Sequence, residues 1–256
     1  MNHRIFIILL FLNGIFLNGQ SQTTRKEQLF DGDWKFCLGD INGAEKQTFN
    51  DKKWRDIDLP HDWSIEKLPN QETGKVVGPF SKESIGSTAT GYTVGGTAWY
   101  RKIFTLNPKE KYNITIISFD GVYMNCDVWV NGKFLGNHPY GYTPFNYDIT
   151  RFLNSAGKPN VIAVKVKNEG KNSRWYSGSG IYRHVWLIQK QAVSIAHNGV
   201  YITTESISSK SATMKIVSSI NNINNKNADV KILINVIEPD GKISQTAETQ
   251  SKNYLW

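Results

Sequence analysis

Two short stretches of this 256-residue chain set carboxylate, imidazole, guanidinium and indole groups beside residues that restrain the backbone. The first is Asp58-Leu59-Pro60-His61-Asp62-Trp63. Pro60 locks one backbone angle and biases Leu59 to an extended shape, so His61, Asp62 and Trp63 are expected to leave a strand as a stiff loop. A carboxylate beside an indole suits a sugar, because the acid accepts hydrogen bonds from hydroxyls while the ring covers an apolar sugar face. The same residues admit a structural reading, in which Trp63 plugs the core and Asp62 caps a turn. The second stretch runs from Asn172 to Arg183, where the small residues Ser177, Gly178, Ser179 and Gly180 permit a tight backbone path. Arg174 and Trp175 lie just before that path. An arginine there suits a carboxylate or sugar oxygens, or equally a structural salt bridge, with Asp62 as a candidate partner.

Other chemistries have little support. The glycines of Gly91-Tyr92-Thr93-Val94-Gly95-Gly96 do not form a phosphate cradle, since no Lys-Ser or Lys-Thr follows and a strand comes next. No CxxC and no histidine cluster at ligand spacing occur, so neither a metal nor a cofactor is expected. The two cysteines, Cys37 and Cys126, fall on separate predicted strands and read as buried free thiols, with a bridge as the alternative. The formal charge of +8 is spread without a run of like charges. It reads as a solvated surface, and nucleic acid is not an expected partner.

Strands must position these groups. From Val122 to Val130 apolar residues alternate with polar or aromatic ones, ending in Asn131-Gly132, which supplies the positive backbone angles of a tight hairpin, and Phe134-Leu135 opens the return strand. Ala98 to Leu106, Ile114 to Phe119, Val161 to Lys167 and Ile181 to Ile188 read as further strands bounded by turn residues. Many short strands without a helical period predict an all-β antiparallel sandwich, of which the jelly roll is one form. After Gln189 the composition shifts: rings thin out, and Thr213 to Ser218 and Val230 to Ile237 stand out before the turn Pro239-Asp240-Gly241. An immunoglobulin-like sandwich needs roughly 100 residues. Residues 194–256 supply fewer, so the chain is expected to end inside such a domain.

At the other end, a basic start (His3, Arg4), the apolar run Ile5 to Phe11 and small or polar residues to Gln22 have the form of a secretory signal peptide over residues 1–22. A secreted or periplasmic protein is the expectation.

Together with Trp129-Val130-Asn131-Gly132 and Gly141-Tyr142-Thr143-Pro144-Phe145, these stretches resemble the sugar-binding N-terminal domain of glycoside hydrolase family 2, especially its bacterial β-galactosidases. The likeness runs from about Gln28 to Gln189. It implies a galactose-binding-like jelly roll over 24–190, an incomplete immunoglobulin-like sandwich over 194–256, and a catalytic barrel that this sequence does not contain. It further implies that Asp62 contacts a terminal β-linked sugar at the mouth of that barrel, with His61, Trp63, Arg174 and Trp175 beside it. Retaining hydrolysis needs two carboxyl groups roughly 5 to 5.5 Å apart, and the family draws both glutamates from the barrel. Asn168-Glu169 resembles the family's acid/base dipeptide but follows a jelly-roll strand, and reads as a surface turn. Family enzymes often assemble through these domains, so a homo-oligomer is compatible with the resemblance. The alternatives are a free-standing glycan-binding module and a piece of a β-mannosidase or β-glucuronidase.

Overall fold

Period-two alternation makes each strand a two-faced ribbon, and two sheets here bury their apolar faces against each other. The computed structural model describes residues 25–66, 76–77, 80–82, 84–173, 177–224 and 226–254. The expected leader, Arg174 and Trp175 lie outside them. In chain order the strands are β1 (Arg25–Leu29), β2 (Trp34–Leu38), β3 (Arg55–Ile57), β4 (Val76–Val77), β5 (Phe80–Ser81), β6 (Gly96–Thr105), β7 (Ile114–Phe119) and β8 (Cys126–Val130). They continue with β9 (Lys133–His138), β10 (Phe145–Asp148), β11 (Pro159–Asn168), β12 (Val185–Lys190), β13 (Val193–Ile207), β14 (Ala212–Asn222), β15 (Ala228–Ile237) and β16 (Ile243–Tyr254).

One sheet runs β1-β12-β7-β10 and the other β3-β2-β6-β11-β8-β9, with antiparallel pairing throughout. Trp34, Phe36, Tyr100, Ile117, Phe119, Val128, Ile162 and Val164 fill the space between them. The fold is therefore the all-β sandwich that the alternation predicts. Asn131 (φ 50°) and Gly132 (φ 77°) turn β8 into β9 with the positive angles that their types allow. β8 begins at Cys126 rather than further upstream because Asn125 is left-handed (φ 47°).

Beyond Lys190 the chain forms two long hairpins, β13–β14 and β15–β16. Their apolar side chains are largely open to solvent, among them Tyr201, Ile202, Ile207, Leu233 and Ile237. Cys37 and Cys126 are unbridged; burial pushes the Cys126 thiol up to about 12. Among the described residues no helix is long and apolar enough to cross a membrane.

Candidate functional site

Leu59 to Glu66 leaves β3 across the end of the six-stranded sheet, pinned by main-chain hydrogen bonds on both sides. Leu59 N–H donates to Asp31 O (2.9 Å), His61 N–H to Ile181 O (2.8 Å) and Trp63 N–H to Ser179 O (3.0 Å). The small-residue path from Ser177 to Gly180 is thus the direct neighbour of the Pro60–Trp63 loop. β12 starts at Val185 and not at Ile181: Ser179 and Ile181 accept from that loop, and Gly180 pairs with Tyr123.

Asp62 caps a single 3-10 turn, Trp63–Ile65. Its Oδ1 accepts from Ser64 N (2.9 Å), Ser64 Oγ (2.5 Å) and Ser179 N (2.8 Å). Oδ2 lies against Gly178, where a Cβ would sit 2.5 Å away. Asp62 as a whole is half-buried, and its hydrogen bonds to described residues all fall on Oδ1. Behind it, Asn168 Nδ2 donates to Ser179 Oγ (2.7 Å) and Gly178 O (3.1 Å), and Asn172 Nδ2 donates to Asn168 Oδ1 (2.6 Å). Gly180 (φ 134°) permits the crossing: a Cβ there would meet Tyr100 Oη at 2.4 Å and His61 O at 2.5 Å.

His61 is buried under the same loop. Its Nδ1 faces Tyr100 Oη at 2.7 Å, and its Nε2 faces Glu66 Oε1 and Arg55 Nη2, each at 3.0 Å. Arg55 closes the group by pairing with Glu66 at 2.6 Å. Burial holds the imidazole below its ordinary pKa, with Glu66 opposing, and burial drives the Tyr100 hydroxyl well above its own. The ring is therefore a neutral strut at pH 7. Trp63 has no exposed surface; it packs against Phe36 and Tyr100, and its Nε1 donates to Gly95 O (3.2 Å). The ring sits where the core-plugging alternative put it, and Asp62 caps the turn while remaining half-open.

Sequence reading did not find Ser64, Ser179, Tyr100, Arg55 or Glu66. Ser179, read only as part of a tight path, carries no local signal of a partner 117 residues away, Ser64 bonds to Asp62 only once the turn has formed, and Tyr100 looks like any inward strand residue. Glu169 is exposed in the loop after β11, where its carboxylate accepts from Thr97 Oγ1. No group of three or more His, Cys, Asp or Glu that could hold a metal occurs among the described residues.

The family model "Glycosyl hydrolases family 2, sugar binding domain" matches residues 27–191. The β-galactosidase BoGH2A of Bacteroides ovatus is 41% identical over 228 residues, covering 89% of this chain and 25% of that protein. A β-glucuronidase of Formosa agariphila is 28% identical, covering 84% of this chain and 23% of that protein. Among solved structures, a glycosyl hydrolase family 2 member from Bacteroides cellulosilyticus superposes with a TM-score of 0.83 at 40% identity, over 89% of this chain and 29% of that one. The chain thus spans about a quarter of the length of the curated relatives it matches.

Proposed function

Since the chain belongs to glycoside hydrolase family 2 and carries the family's sugar-binding domain, we propose that it is the non-catalytic front of an exported β-galactosidase-type enzyme. Such an enzyme would release terminal β-linked sugars by double displacement, drawing both catalytic carboxyl groups from a barrel outside residues 1–256. The observation that carries this reading is the half-buried Asp62 carboxylate, held through Oδ1 by three donors. A carboxylate fixed in that way is ready to accept hydrogen bonds from sugar hydroxyls without first being ordered. His61 and Trp63 act here by holding the loop, and Arg174 and Trp175 are further contacts on the sequence resemblance alone. The basic start and apolar run of residues 1–22, which have the form of a signal peptide, support export.

A β-glucuronidase is the second reading, favoured by the Formosa agariphila relative. The neutral sugar is supported by the galactosidase pattern that Pro60 to Trp63 and Arg174 to Arg183 resemble, and by the 41% identity to the Bacteroides ovatus β-galactosidase. The test is kcat/KM of the enzyme that contains this chain on p-nitrophenyl β-galactoside and β-glucuronide. At least a hundredfold preference for the galactoside is expected, and the reverse preference would establish the second reading.

A further inference from the structure

The six-stranded sheet has an outer face as well as an inner one, and the outer face is not bare. The segment joining β2 to β3 folds back over it, and its Ile41, Ala44, Phe49 and Trp54 pack against Trp99, Trp129 and Ala163. Arg101, almost fully buried, pins that segment: its Nε donates to Asp51 Oδ2 (2.8 Å) and its Nη1 to the carbonyls of Ala44 and Lys46. Between the pinned segment and β8 lies a cleft of about 350 Å³, on the face opposite the core that Trp63 enters.

The cleft is built for a ligand with both polar and apolar surfaces. Trp129 lines it, its ring 5.3 Å from Trp99 and 5.5 Å from the exposed Phe134. Asp40, Glu45 and Asp127 bring carboxylates, and Lys165 brings an ammonium that pairs with Asp40 at 2.7 Å and lies 5.6 Å from the Trp99 ring centre. Trp99 is 3% exposed and lines the cleft, yet its buried Nε1 makes no aligned hydrogen bond. Beside Lys165, the indole also contributes to holding the Asp40 carboxyl below its ordinary pKa. A buried indole N–H without an aligned acceptor is uncommon, and a ligand oxygen would satisfy it.

We propose that this cleft is a second glycan site, separate from the Asp62 loop, which takes one neutral pyranose ring of an oligosaccharide. The Trp129 face covers the ring's C–H surface, Trp99 Nε1 donates to a sugar oxygen, and Asp40 and Glu45 accept from hydroxyls. Asp40, Glu45 and Asp127 outnumber Lys165 and Lys167, which pair with Asp40 and Asp127 at 2.7 Å each, so the cleft disfavours a uronate. The exposed Asp40–Lys165 pair costs little to open, because such surface pairs contribute little.

The test uses the 256-residue chain and the indole N–H resonances of its nitrogen-15 spectrum, with Trp99 and Trp63 assigned through Trp99→Phe and Trp63→Phe. Titration with lactose, cellotetraose and mannotetraose is expected to shift the Trp99 signal saturably with at least one of them and to leave Trp63 in place. Trp129→Ala should weaken that binding about tenfold, and the surface change Asp40→Ala severalfold, so that a folding defect in the first leaves the second decisive. Tetragalacturonate should not bind. The proposal is overturned if none of the neutral oligosaccharides moves the Trp99 signal, if only Trp63 responds, if tetragalacturonate binds better, or if Asp40→Ala binds as the parent does.

Discussion

Replacing Asp62 by alanine removes the one oxygen that accepts from Ser64 N, Ser64 Oγ and Ser179 N. Loss of a side-chain cap costs about 1 kcal/mol. Ser64 and Ser179 are both buried, so donors left without a partner add about 1–3 kcal/mol in all, at the lower end where water can enter beside the half-exposed loop. The sum is about 2–4 kcal/mol. Asp62→Asn keeps an acceptor oxygen in the same place and should cost about 1 kcal/mol or less. Urea unfolding followed by tryptophan fluorescence measures both through the shift of midpoint at constant slope. An alanine variant within about 0.5 kcal/mol of the parent, or an asparagine variant as unstable as alanine, would show that these donors do not hold the loop.

Two further outcomes are expected from the same loop. Burial keeps the folded pKa of His61 below its unfolded value, so as pH falls below 6.5 the unfolded chain takes up a proton that the folded loop resists, and stability declines. His61→Gln should lessen that decline by up to about 1.4 kcal/mol per pH unit between pH 6.5 and 5, leaving the part due to His197, whose pKa burial also lowers; identical slopes for parent and variant would contradict the assignment. Gly180→Ala should lose about 3 kcal/mol or more, since the new methyl would meet Tyr100 Oη and His61 O at a backbone angle unsuited to alanine; an unchanged unfolding midpoint would show that the crossing can relax.

The fold was legible where local rules suffice. Alternation located β6, β7, β8 and β11 to within a few residues, and Asn131-Gly132 marked the hairpin because its two types tolerate positive φ. β2 and β3 were legible only as a strand around Cys37 and one before Pro60, without bounds: five- and three-residue strands carry too few alternations to place their ends, and Trp34 shows itself as core only once β6 lies beside it. Pro60 and Asp62 drew attention to the loop that Ser179 and Ile181 pin. What holds that loop did not, because Ser179 is 117 residues from Asp62 and reaches it only after both sheets have formed. The outer-face cleft was hidden for the same reason: Asp40, Trp99, Asp127 and Lys165 come from separate parts of the chain, and their register alone brings them together.

The most direct measurement is kcat/KM of the enzyme that contains this chain on a terminal β-galactoside, with Asp62 and with Asp62→Asn, each shown to unfold cooperatively. A hydrogen bond to a charged acceptor contributes about 1.5–3 kcal/mol, so the account expects a loss of about 10- to 150-fold. A variant within twofold of the parent would contradict the claim that this domain lends Asp62 to the sugar pocket.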